Sequence, residues 1–68
     1  MALKFPMYYE VDDIPVMVDV DPVTFEMFAV NDLGNPWSPL KAAAEGRLIT
    51  KAEFNKLKAI RKVELGLN

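Results

Sequence analysis

The sequence predicts an α+β domain: a three-stranded antiparallel β-meander followed by a short helix and a longer C-terminal helix packed on one sheet face. Three observations point there. Residues 5–30 alternate with the two-residue period of a strand, and aspartate-rich breaks divide them into three runs. A cluster of turn formers, Asn31-Asp32-Leu33-Gly34-Asn35-Pro36, closes the strand region. Beyond it lie two helix-start signals, each a hydroxyl residue set ahead of helix-forming residues.

The first break is Asp12-Asp13. The second is Asp21-Pro22-Val23-Thr24, with Asp and Pro at the first two positions of a type I turn. Two-residue loops at both would pair Val11 with Ile14, Tyr9 with Val16, Met7 with Val18 and Phe5 with Val20. They would then pair Val20 with Phe25, Val18 with Met27 and Val16 with Ala29, so that every pair is apolar and these residues form the core face. A one-residue slip would turn the whole set outward, which is why agreement between the two hairpins supports the register. Pro6 suits an outer strand, whereas Pro15 suggests a bulge or a late start to the middle strand.

The same register arranges the opposite face in rows: Glu10, Pro15 and Val30; Tyr8, Met17 and Phe28; Pro6, Asp19 and Glu26. An apolar row flanked by acidic groups has the composition of an interface core with a charged rim. Tyr8, Glu10, Met17, Asp19, Glu26 and Phe28 are therefore the expected partner-binding residues. Asp19 opposite Glu26 would be a like-charge pair that a basic partner relieves.

After the loop at 31–37, Ser38 caps a helix over 39–45 with Pro39 at its first position, and Gly46 stops it. Trp37 precedes the cap and is placed to pack over Ala42. Thr50 and Glu53 form a capping box, with Ile49 and Phe54 at staple spacing, and open a second helix over 51–65 that Gly66 releases. Its inward stripe is Phe54, Leu57, Ile60 and Val63. Lys51, Lys58 and Lys62 fall on one strip facing away, with Arg47 nearby, and these four define an alternative nucleic-acid-binding set. Helix, turn, helix is also the outline of a DNA reader, but this helix offers Lys where base edges call for Arg, Asn and Gln, so nucleic acid is disfavoured. The stretch Glu45-Gly46-Arg47-Leu48-Ile49-Thr50-Lys51-Ala52-Glu53-Phe54 resembles the Gly, Ile-Thr, Glu-Phe pattern of the short oligomerisation domains called SHOCT, with one extra residue between the Gly and the Ile-Thr. No function is carried over from it.

Composition sets the remaining bounds. With 68 residues, residues 1–68 are read as one domain, and such a domain buries only about 60% of its unfolded surface. Half of the residues are hydrophobic, there is no Cys or His to staple the fold with a disulfide or zinc, and self-association or a partner is the remaining supplement. Residues 1–36 carry seven carboxylates against Lys4, net -6, while residues 37–68 carry seven cations against three carboxylates, net +4. An acidic sheet docking on basic helices satisfies that polarity.

No apolar run is long enough to span a bilayer and no signal-peptide core opens the chain, so a cytoplasmic protein is expected. Without His or Cys, and with Ser38 serving as a cap, no nucleophile and base can be paired. The aspartates sit where turns want them and follow no calcium-loop pattern, and Gly34, Gly46 and Gly66 are isolated, so neither metal, nucleotide nor other cofactor is expected. The expectation is a non-enzymatic protein-interaction module, a small inhibitor or adaptor of the kind phages and mobile elements encode, acting on a basic protein surface. A self-assembling homo-oligomer is the first alternative.

Overall fold

The computed structural model describes residues 4–66. β1 (Met7–Val11), β2 (Ile14–Val20) and β3 (Met27–Asn31) form the expected antiparallel meander. It continues through β4 (Pro36–Trp37), α1 (Pro39–Glu45), β5 (Arg47–Ile49) and α2 (Lys51–Glu64). The sequence predicts loop over Pro36–Trp37 and no strand between the two helices. β4 and β5 pair at the edges and complete a five-stranded sheet ordered β4-β3-β2-β1-β5. A two- or three-residue strand carries no periodicity of its own and forms because a neighbour offers an open edge.

The first hairpin has the expected register, with Val11 opposite Ile14, Tyr9 opposite Val16 and Met7 opposite Val18. Its turn holds Asp12 at φ 49° and Asp13 at φ 66°, the pair of left-handed residues that matches strand twist in a two-residue loop. Phe5 does not pair with Val20, since β1 begins only at Met7, but Phe5 still packs against the core. The second hairpin differs from expectation by two residues: Val20 faces Met27, Val18 faces Ala29 and Val16 faces Asn31. A two-residue shift keeps every side chain on its own face, so the alternation survives while the loop lengthens to Asp21–Glu26. Val20 therefore does not face Phe25, nor Val18 Met27, nor Val16 Ala29.

The helices lie on opposite faces of the sheet. α1 places Ala42 against Val11, Val16, Val18 and Ala29, and Trp37 and Ile14 border that cluster. Gly46 ends α1 by donating its N–H to the Ala42 carbonyl, and it is a glycine for want of space. A Cβ there would lie 2.5 Å from the Ala42 oxygen and 2.8 Å from Val11 Cγ2.

α2 crosses the other face. The expected capping box is formed, with Thr50 Oγ1 accepting from the Glu53 N–H at 3.1 Å. Phe54 is buried and its ring centroid lies 4.8 Å from that of Tyr8. The inward stripe is narrower than expected, because Leu57 is half-buried while Ile60 and Val63 are exposed. Arg61 takes the inward position further along, its Nε donating to Asp32 Oδ2 at 2.7 Å. An ion pair with the β3–β4 turn thus replaces apolar packing at that end of the helix.

Candidate protein-docking site

Two ion pairs of different kinds tie the elements together, one at the β1–β5 edge and one between α2 and the β3–β4 turn. Arg47 donates to Glu10 across the β1–β5 edge at 2.6 Å, with Arg47 65% and Glu10 18% exposed. The Arg47 hydrogen bond holds the Glu10 carboxyl below the usual carboxylate range. The Asp32 side chain is 2% exposed and that of Arg61 21%. Asp32 Oδ1 is buried and meets no donor among the described residues.

The expected binding row is not an open surface. Tyr8 lies under Phe54 of α2, and Met17, its cross-strand neighbour, is half-buried on the same face. The third member of the row is Val30, which opposes Met17, while Phe28 stands opposite Asp19. The expected like-charge pair is not formed. Asp19 instead accepts from the Val20 N–H at 2.8 Å, and Glu26 lies in the loop with its carbonyl accepting from the Asp21 N–H at 2.9 Å. Glu10 is occupied by Arg47. Of the six expected contact residues, Asp19 and Phe28 face each other at the β2–β3 end with Glu26 in the adjoining loop, while Tyr8 lies under Phe54, Met17 is half-buried beside it and Glu10 is tied to Arg47.

The alternative cationic set is also divided. Arg47 sits with Glu10, Glu53 and Lys56 on one flank of α2, while Lys58 and Lys62 border a groove with Asp32 and Leu33 on the other. Lys51, at the start of α2, is exposed. Arg47 is thereby set apart from the α2 lysines, which share one exposed side of the helix.

The surface that sequence reasoning missed is the β2–β3 loop. Val23 is 83% and Phe25 79% exposed, and Met27 and Phe28 beside them are also exposed, one on each sheet face. Other exposed apolar residues, such as Leu40, Leu48 and Val63, are spread over separate elements, which is ordinary for a small domain. At the loop four of them fall within residues 23–28, interleaved with Glu26 and preceded by Asp19 and Asp21.

The loop is tied by its own hydrogen bonds. Asp21 Oδ1 accepts from the Val23 N–H at 2.8 Å and the Thr24 N–H at 3.1 Å. The Asp21 carbonyl accepts from the Phe25 N–H at 2.8 Å, and Thr24 Oγ1 from the Glu26 N–H at 3.3 Å. The two amide hydrogen bonds to its carboxylate hold Asp21 below the usual aspartate range. Phe25 has φ 63°, a left-handed conformation that glycine fills without cost and that a bulky side chain seldom adopts. The backbone therefore spends strain to project an aromatic ring into solvent. The sequence signal was present in the Asp-x-x-Thr spacing, which suits a longer self-capped loop as well as a tight turn.

The fold and this loop define a small α+β domain with an acidic, apolar-tipped hairpin end. Among the described residues, no helix is long and apolar enough to cross a membrane and no three His, Cys, Asp or Glu side chains are grouped to hold a metal ion. No known protein family, curated protein or solved structure matches the chain.

Proposed function

We propose that this protein is a non-enzymatic protein-interaction module that inserts its β2–β3 loop into a basic surface with an apolar recess. The observation that carries this reading is Phe25, exposed to 79% at a left-handed φ of 63°. Strained, solvent-facing aromatic residues persist where something other than folding retains them. Pre-ordering by Asp21 lowers the entropy lost on binding, and aromatic anchors of this kind dominate interface energetics.

Asp19, Asp21 and Glu26 would steer the loop toward cations and speed the encounter. A domain of this kind suits an inhibitor or adaptor, its carboxylates occupying positions where a basic, nucleic-acid-contacting protein expects phosphates. The test is capture from the native host cell with wild-type protein and with Phe25→Gly, followed by mass spectrometry and by titration of the purified captured protein. A basic protein bound by wild type and lost on substitution, with circular dichroism unchanged, is the expected result. Equal binding of that purified protein by Phe25→Gly would overturn the assignment.

A further inference from the structure

The acidic loop and the Lys58–Lys62 groove lie at opposite ends of β3. The loop enters the strand at Met27, and the Asn31–Asn35 turn, which carries Asp32 and Leu33, leaves it. The molecule is elongated, 36 Å along its greatest dimension against 22 and 19 Å across. The groove between that turn and α2 has a volume of about 230 Å³ and is bordered by Lys58, Lys62, Leu33 and Asp32. Its surface is mostly apolar, two lysines four residues apart flank it, and Asp32 already pairs with Arg61. A carboxylate entering beside Lys58 and Lys62 would therefore meet cations that no ion pair within the described residues engages.

We propose that the β2–β3 loop of one molecule docks in the groove between α2 and the Asn31–Asn35 turn of a second copy, linking molecules head to tail. This rests on the reading of the loop as the protein-docking surface, and names another copy of the chain as a partner. The argument is complementarity in both charge and polarity. Asp19, Asp21 and Glu26 flank Val23 and Phe25 in the chain at one end, whereas Lys58 and Lys62 line a groove with Leu33 at the other, beside an Asp32 already paired to Arg61. The acidic groups near the second end, Asp13 and Glu64, line a separate groove on the far side of Arg61, so they leave the Lys58–Lys62 flank positive. Because donor and acceptor surfaces differ, the contact is heterologous and gives chains or rings of molecules rather than a closed two-fold dimer.

A heterologous contact has a distinctive signature in mixtures. The experiment is sedimentation velocity on wild type, on the loop variant Phe25→Gly, on a second loop variant Val23→Asp, and on the groove variant Lys58→Glu/Lys62→Glu, with circular dichroism confirming each fold. All substituted side chains are exposed. Wild type is expected to grow with concentration past the dimer at low ionic strength, and its association to weaken about tenfold or more between roughly 0.01 M and 0.15 M salt. Each variant alone should be monomeric. A mixture of a loop variant with the groove variant should stop at a one-to-one dimer, because only one competent loop and one competent groove remain per pair.

Wild type that stays monomeric at millimolar concentration overturns the head-to-tail contact, as does a wild-type dimer that either variant retains alone. Monomeric wild type that binds single-stranded nucleic acid through Lys58 and Lys62 assigns the groove to that ligand and overturns it equally. None of these results touches the loop's wider role. That role fails separately, if Phe25→Gly still binds the captured basic protein.

Discussion

The two hairpins of the meander use the same materials to opposite ends. Both join alternating strands, and both are punctuated by aspartate. The Asp12-Asp13 hairpin closes in two residues, and its end of the sheet is covered by α1 on one face and α2 on the other. The Asp21–Glu26 hairpin closes in six residues, and its tip leaves Val23, Phe25, Met27 and Phe28 in solvent. One end of the sheet is packed between helices and the other is left exposed. Left-handed residues occur in both loops, but at the first they are aspartates, which tolerate that conformation, and at the second a phenylalanine, which does not.

The largest effect belongs to the covered end. Arg61→Ala leaves the Asp32 carboxylate buried with neither oxygen bonded, and is expected to cost about 3–5 kcal/mol in urea unfolding. Replacing both partners by leucine should recover most of that loss, because the penalty lies in the orphaned charge and not in the absence of the pair. An Arg61→Ala loss no larger than that of an exposed ion pair would mean that α2 is held by Phe54 alone, and the covered end would be less committed than its burial implies.

Gly46→Ala comes next. A methyl group aimed at the Ala42 carbonyl and Val11 Cγ2 must push α1 away from β1, at a cost of about 1–3 kcal/mol. The φ at this residue is ordinary, so the loss reads packing between α1 and the sheet, net of the smaller unfolded-state entropy that alanine removes. A neutral substitution would show that the α1 cluster yields, and would remove rigidity as the property that separates the two ends.

At the open end the sign reverses. Phe25→Gly relieves left-handed strain of about 1–2 kcal/mol, offset by about 0.5–1 kcal/mol of added unfolded-state entropy. Net stabilisation of up to about 1 kcal/mol is expected alongside loss of binding. A variant that gains stability while losing its partner would place Phe25 on the functional side of a stability–function trade-off. Marked destabilisation would instead make the ring a packing element.

How far the sequence revealed this contrast depends on what periodicity can resolve. Alternation places Val11, Val16, Val18 and Ala29 on one face, and they form the core found there. It cannot distinguish registers that differ by two residues, so Phe25 was expected opposite Val20 when it lies beyond the strand. The helix caps were legible because Ser38 and Thr50 act on amides three residues away. The face covered by α2 was not legible, since it is set by contacts between residues far apart in the chain, such as Phe54 on Tyr8 and Arg61 on Asp32. That placement covers Tyr8 and moves the open surface from the middle of the sheet to the loop. Asp19 and Phe28 face each other near that loop and Glu26 lies in it, although the register with two-residue loops puts all three on one outer sheet face and Phe25 on the core face.

The smallest expected effect is the pH response of the two half-buried carboxylates whose ionisation the fold favours. Asp21 is held below its ordinary range by the Val23 and Thr24 amides, and Glu10 is held below its own chiefly by the Arg47 hydrogen bond. A carboxyl whose folded-state value is depressed contributes stability that is complete above its unfolded value, about 4 for these groups, and is lost as pH falls through the lower folded value. Acid should therefore loosen both the β2–β3 loop and the β1–β5 edge, in the window below about pH 4. The two sites separate by substitution. In Asp21→Asn the amide oxygen still accepts from Val23 and Thr24 but no longer titrates, so the amide chemical shifts of those two residues should become insensitive to acid while the Glu10 response persists. Shifts at Val23 and Thr24 that continue to track pH in that variant would show that the loop is tied by a group other than Asp21, and its pre-ordering would need a different physical origin.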